Sequence, residues 1–534
     1  MATVRPQFYP NPLQPSEINK TSLENTLSEL QLAIRNGADA IRKNSQRPTD
    51  PSQHGNMYSG ISGTVFAFLR LERQKPSILG HEDAAESELG KIALDLLIPS
   101  SPDIALSDGR NSPIASGLAP PFARILAACE DQNLQLGGGL AVSEKDVEII
   151  QRAMEGATKH GNTIPFRGHN LGADELLFGR TGLLWTALTL QRHCVEEQAK
   201  TTIRPLLEPI FRNVPKLVDT ILAAGKQGSQ DFEKQHGRKP PLPLMWPWLD
   251  DHYALGSVHG ISGIISTLLS CDESLLSAQK EDNYLDLMAD TVNGLCQICI
   301  ENDGHLPMTI PPMPSSEERS SPLLQLCHGS PGMLLLLAAA YRNPFFLSKY
   351  WRPEWETALH LATEQTWKEG LLSKGGNLCH GLTGNIWPLL PFHDIYDNNS
   401  IFQTEVRQQR LAELGKTDTP TTEPRTLSSD YFLSRIIPFM MLARESPPYS
   451  EIAGLKPSFD FRAPDRPYCL GEGLVGELCA WAETCVVIKS RLRKMQLEEG
   501  GASGCVDHDE ELVRYSSQQL GLPLFEVNGP AIYV

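Results

Sequence analysis

Along this chain, several stretches are apolar at nearly every position: TVFAFLRL, LLWTALTL, IISTLL, MLLLLAAAY, NIWPLL and ELCAWAE. They are rich in Leu, Ala and Ile with little alternation of period two, so they predict helices buried on nearly all sides rather than strands. Each follows directly on two glycines three apart: Gly60 and Gly63, Gly179 and Gly182, Gly260 and Gly263, Gly329 and Gly332, Gly381 and Gly384, Gly473 and Gly476. A degenerate seventh copy, Gly117-Leu-Ala-Pro120 before PFARILAA, fills the long gap between the first two. Glycine at a helix start permits a tight turn and close approach of backbones. The intervals leave room for a second, amphipathic helix in each repeat, which predicts seven helical hairpins with one member inside and one outside.

Such hairpins either stack as an open solenoid or close on themselves. The irregular spacing fits closure with loop insertions, so the expected fold is all-α: a two-layered α/α barrel. Closure would gather the seven glycine turns at one end and aim helix N-termini, with their free N–H groups, at a shared mouth that favours anions. The stretches Gly225–Leu244, Pro311–Pro322 and Leu411–Pro424 read as surface loops from their Pro, Ser and charged residues. The expected division is one barrel domain over residues 1–490, with 1–20 as an N-terminal extension, and a charged, glycine-punctuated peripheral tail over 491–534.

The 534 residues carry a formal charge of −17, which repels phosphate backbones and anionic membranes in the absence of a basic patch, and none is seen. No glycine pair is followed by the Lys-Ser/Thr of a phosphate-binding loop. Nucleic acid is therefore not an expected partner. The longest apolar run, around Met333 to Tyr341, is too short to span a bilayer, and the N-terminus lacks the apolar core of a secretory signal. Eleven cysteines, an odd number in so long a chain, point to a reducing compartment, with the cytoplasm as the expected location.

Two glycine pairs are preceded by the same residues, Cys327-His328-Gly329 and Cys379-His380-Gly381. Their equal place in the repeat would bring both dipeptides to the same end of a barrel. Thiolate and imidazole are preferred zinc ligands, and three protein ligands with an open fourth position mark a catalytic site. A closed Cys2His2 site, or cysteines that merely pack, are the alternatives. Cys296 and Cys299 read as one face of a buried helix, and Cys505 with His508 as a weak metal pair.

The order DELLFGRTG, LMWPWLDDHYALGSV with HGISG, LLQLCHGSPG, KGGNLCHGLTGN and PDRPYCLGEGLVG, from about Met57 to Ala482, resembles the lanthionine synthetase C-like family. The resemblance implies seven inner and seven outer helices, and one zinc ion per chain held by Cys327, Cys379 and His380. It implies thioether chemistry: bacterial members add a peptide thiol to dehydroalanine or dehydrobutyrine, and eukaryotic members add glutathione to such residues in polypeptides. This chain is more similar to the eukaryotic group, with Lys374 and Arg462 near the positions that contact glutathione. His259 is then the candidate acid that protonates the enolate, a role suited to its near-neutral pKa. Asp174 and Glu175 are candidates to orient it. The expected partners are glutathione and polypeptides containing dehydroamino acids. A non-catalytic glutathione- and zinc-binding scaffold and a peptide lanthionine cyclase are the alternative readings. Two departures stand out: Gly471 lies where the family usually has Phe, and Pro120 replaces the last glycine of the second repeat.

Overall fold

The computed structural model describes residues 5–46, 55–79, 88–100, 103–277, 283–314, 319, 321–398, 400–415, 427–500 and 509–527. Within them, six glycines, Gly60, Gly179, Gly260, Gly329, Gly381 and Gly473, each cap the N-terminus of a helix. The second glycine of a pair lies in the first turn, where the preceding loop folds back on it. A Cβ on Gly263 would stand 1.7 Å from the Ser257 carbonyl oxygen, and one on Gly384 1.6 Å from that of Leu378. The same approach recurs at Gly63, Gly182, Gly332 and Gly476. The glycine pair is thus a steric requirement of the loop. In the second repeat Pro120 and Pro121 occupy the first turn instead, where the missing N–H has no intrahelical partner to lose.

Fourteen helices build the body. In chain order they are α1 (Lys20–Asn44), α2 (Ile61–Ile78), α3 (Leu89–Leu96), α4 (Ala119–Asn133), α5 (Glu144–Ala157), α6 (Arg180–His193) and α7 (Val214–His236). There follow α8 (Ile261–Leu268), α9 (Tyr284–Glu301), α10 (Ser330–Arg342), α11 (Pro353–Glu369), α12 (Leu382–Ile386 continued as Leu389–Asn398), α13 (Ser429–Ala443) and α14 (Leu474–Glu499). The even-numbered helices contact one another in sequence, and α14 returns to α2, so the inner ring closes. The odd-numbered helices pack outside it, α3 on α2, α5 on α4, α7 on α6, α11 on α10, α13 on α12 and α1 on α14, with α9 against α10 and α11. The fold is the two-layered α/α toroid, seven helices within seven. Two short antiparallel pairs, Thr163–Phe166 with His169–Gly172 and Tyr253–Ala254 with Thr309–Ile310, decorate it. Large side chains join adjacent inner helices: the Trp185 ring lies 6.0 Å from Phe66 and 5.4 Å from Phe122. No helix among the described residues is long and apolar enough to cross a membrane.

Two expectations need correction. Gly225–His236 is not loop but the second half of α7, because its small residues form a track for the returning chain: a Cβ on Gly225 would meet the Trp246 ring at 2.5 Å, and one on Gly228 the Met245 carbonyl at 2.0 Å. Nor is the segment after residue 490 peripheral. Helix α14 runs to Glu499, a short helix follows at Glu510–Ser517, and Leu520, Leu522, Leu524 and Phe525 are buried. Parts of the expected loops Pro311–Pro322 and Leu411–Pro424, and all of the Cys505 and His508 pair, lie outside the described residues. Cys296 and Cys299 are both buried on α9.

The C-terminal segment is held by buried charge. Arg70 of α2 donates to the carbonyls of Leu520 (3.1 Å) and Gly521 (2.5 Å), and Glu483 of α14 accepts from the N–H groups of the same two residues at 3.0 and 3.1 Å. The Trp185 indole donates to the Glu526 carbonyl at 2.5 Å. Replacing Arg70 by Ala would leave Glu483 buried without its cation, a loss on the order of 3–5 kcal/mol. The expected outcome is a lower denaturant midpoint together with faster proteolysis at the C-terminus; an unchanged midpoint would contradict this anchoring.

Candidate metal centre and its cavity

The loops that precede the inner helices are stitched into a ring by backbone hydrogen bonds. Cys327 N donates to Cys379 O (3.3 Å), Cys379 N to Gly471 O (3.0 Å), Gly471 N to Tyr58 O (2.8 Å), Tyr58 N to Ile114 O (2.8 Å) and Ser112 N to Phe178 O (3.0 Å). Tyr58, Cys327, Cys379 and Gly471 each stand two residues before the first glycine of their repeat. One residue nearer the glycine are His259, His328, His380 and Glu472. The repeat therefore converges its two pre-glycine positions on one end of the barrel. There they line a cavity of about 880 Å³ that also includes Val258, Lys374 and Arg462.

Cys327, Cys379 and His380 come together: their ligand atoms all lie within 4.8 Å of one another. Tetrahedral zinc with bonds of about 2.3 Å to sulfur and about 2.0 Å to nitrogen needs donors roughly 3.6–3.8 Å apart, so small side-chain movements would close this group on an ion. Its two soft donors and one imidazole suit zinc, and no fourth Cys, His or carboxylate joins the group among the described residues. The two thiols are buried and hydrogen-bonded to each other. The bond from Cys327 holds the Cys379 thiol well below the ordinary range, against its burial and with help from His380 and Tyr58. The same pairing raises Cys327.

Beside this group, His259 Nδ1 is hydrogen-bonded to the buried Glu175 carboxylate, whose other oxygen lies 3.8 Å from Arg110. Burial disfavours the imidazolium, yet the Glu175 charge and hydrogen bond outweigh it, and the net shift of His259 is upward. Its ring lies 5.3 Å from Trp248 and 5.4 Å from His328, stacked on the latter. Burial, with the neighbouring His259 charge, pushes His328 down to about 3, which keeps it neutral. Lys374 and Arg462 reach the cavity wall, Arg462 also pairing with Asp465 at 3.0 Å.

Asp174 is not part of this cavity. It is fully buried against Arg180 at 2.7 Å, and the same guanidinium donates to the carbonyls of Ala157 and His160. Its role is to tie the start of α6 to the end of α5, whereas Glu175, one residue on, turns to His259. Adjacent positions in an extended loop face opposite ways, and that separates the two acids. Tyr58, Trp248, Arg110, Arg5 and Arg319 also border the cavity or its histidine, and sequence reasoning missed them. For Tyr58 the signal was present, since it holds the same repeat position as Cys327 and Cys379. Trp248, Arg5 and Arg319 lie in irregular segments with no such register.

The toroid and its Cys/Cys/His group define a class of helical-barrel proteins with a candidate metal site at the mouth. Residues 51–414 match the lanthionine synthetase C-like protein family, and the chain belongs to that family. It is 31% identical over 222 residues to a protein named glutathione S-transferase LANCL1 from Danio rerio, covering 42% of this chain and 47% of that one. It is 30% identical over 219 residues to LanC-like protein GCL1 from Arabidopsis thaliana, covering 41% of this chain and 42% of that protein. These matched stretches span less than half the length of each relative. The solved nisin cyclase aligns with 88% of this chain and 99% of its own length, at 12% identity and a TM-score of 0.32.

Because burial is the largest influence on His259 and Glu175 the one that reverses it, Glu175→Gln should bring the imidazole pKa from above to below the ordinary value of about 6.5. Asp174→Asn should cost on the order of 3–5 kcal/mol by leaving Arg180 buried without its charge partner, and should leave His259 unmoved. Proton NMR titration of His259 in the two variants checks both.

Proposed function

We propose that this protein adds the thiol of glutathione across the double bond of dehydroalanine or dehydrobutyrine residues in polypeptides, forming a thioether. The observation that carries the reading is the juxtaposition, in one cavity, of a Cys/Cys/His group with an open side and an imidazole whose partner carboxylate favours its protonated form. Membership of the family, and similarity to a relative named as a glutathione S-transferase, support it.

Cys327, Cys379 and His380 would hold zinc. When bound there, zinc supplies a thiolate at neutral pH by acidifying a thiol that enters its open position, since a free thiol has a pKa of about 8.5. Lys374 and Arg462 are suited to the two carboxylates of glutathione, the planar guanidinium to a two-point grip. Once sulfur bonds to the β-carbon, the electron pair of the double bond passes to the α-carbon and its carbonyl, and a proton must arrive at the α-carbon. The His259 imidazolium supplies it. Glu175 fixes the tautomer by holding Nδ1 and so leaves Nε2 to face the reacting atoms, while Trp248 and His328 shield the ring from water. Atoms balance as one S–H added across one C=C, with no leaving group. The ten described cysteines are free, which suits a reducing compartment such as the cytoplasm.

The test is a peptide containing dehydroalanine incubated with glutathione and the zinc-loaded protein, the product followed by its gain in mass. His259→Ala should lower the rate by about 10²–10⁴-fold while glutathione binding persists. Undiminished turnover would remove His259 from the reaction, and absence of turnover in the parent protein would favour a binding protein. Because the acid must be protonated, the rate should fall as pH rises through the elevated pKa of His259, and Glu175→Gln should bring that fall to lower pH.

A further inference from the structure

Tyr58, Gly471 and Cys379 are successive rungs of the backbone ring, Gly471 N donating to Tyr58 O at 2.8 Å and Cys379 N to Gly471 O at 3.0 Å. The Tyr58 ring occupies the space that a side chain at 471 would need: a Cβ there would stand 2.4–2.7 Å from its Cε2, Cδ2 and Cζ atoms. Seated against the bare Cα, the ring brings its hydroxyl between two acceptors. It donates to Glu472 Oε1 at 2.9 Å and is within hydrogen-bonding reach of the Cys379 sulfur. Glu472 Oε1 in turn stands 3.8 Å from His380 Nε2. One phenol therefore touches one member of the Cys/Cys/His group and, through a carboxylate, approaches another.

We propose that Tyr58 is a positioning residue of the metal centre, and that Gly471 is the vacancy that admits it. Groups that hydrogen-bond to metal ligands fix their orientation and tune their donor strength. A thiolate that accepts a hydrogen bond gives less charge to its metal, which leaves the metal a stronger Lewis acid toward the thiol that enters. Glu472, held by the same hydroxyl, stands where a carboxylate can orient the His380 ring. The glycine is essential because the phenol reaches Cys379 only across an unoccupied Cα.

This inference rests on the metal-site reading above, and the experiment separates the two. The full chain is loaded with cobalt(II), the sulfur-to-cobalt charge-transfer band is recorded in the near ultraviolet, and affinity is measured by competition with a chelator. Tyr58→Phe, which keeps the ring and removes the hydroxyl, should move the band to lower energy and weaken metal binding by about tenfold. Gly471→Ala should move the band the same way although the phenol is retained, and the double variant should move it no further than the larger single shift. A Tyr58→Phe protein with an unmoved band and an affinity within about twofold of the parent would overturn the role of Tyr58 and leave the metal site standing. A parent protein with no thiolate band would overturn both. Tyr58→Phe adds no bulk, so it decides the matter even where Gly471→Ala fails to fold.

Discussion

Everything at the mouth of this barrel depends on one steric constraint: the loop before each inner helix must fold back onto that helix's first turn. The contact is so close that a methyl group cannot enter, 1.7 Å at Gly263 and 1.6 Å at Gly384 for a notional Cβ. Once the loop is pressed against the helix, its backbone N–H and carbonyl groups point along the rim, where the neighbouring loops complete them. Buried backbone groups must find partners, and the ring of bonds from Cys327 through Cys379, Gly471 and Tyr58 satisfies them between repeats rather than within one. The two positions before each glycine pair are then left to project their side chains into a common space. The chemistry is built from those positions.

Electrostatics divides the acids of the same loop between architecture and chemistry. Asp174 and Glu175 are neighbours in sequence, both buried, yet one neutralises Arg180 and the other His259. Burial pushes Asp174 up to about 6 against the pull of Arg180, which marks it as a structural ion pair held at some cost. Glu175 spends its charge on an imidazole at the cavity wall. The far side of the molecule uses the same device in another form, where Arg70 and Glu483 meet the backbone of the C-terminal segment in the interior.

The architecture was legible because the constraint leaves a written trace: six glycine pairs, each before an apolar run, count the inner helices, and a proline-started seventh completes the ring. The two Cys-His-Gly elements were legible for the same reason, since equal register in a closed repeat brings equal positions together. What escaped the sequence lies outside that register. Gly225 and Gly228 looked like loop residues, but their small size serves the crossing of Met245 and Trp246 over α7. Leu520 to Phe525 looked peripheral because the helix before them ends in charges, and only the buried Arg70 and Glu483 give them a place inside. Glu175 could not be told from Asp174 by spacing alone, because the direction each side chain takes is set by partners distant in sequence, Arg180 aside.

The central claim is that Cys327, Cys379 and His380 form an open site that takes up a thiol. X-ray absorption of the zinc-loaded protein, recorded with and without glutathione, tests it directly. The account predicts two sulfur neighbours in the absence of glutathione and three in its presence, with the nitrogen neighbour unchanged. An ion with four protein ligands, or a sulfur count indifferent to glutathione, would contradict it.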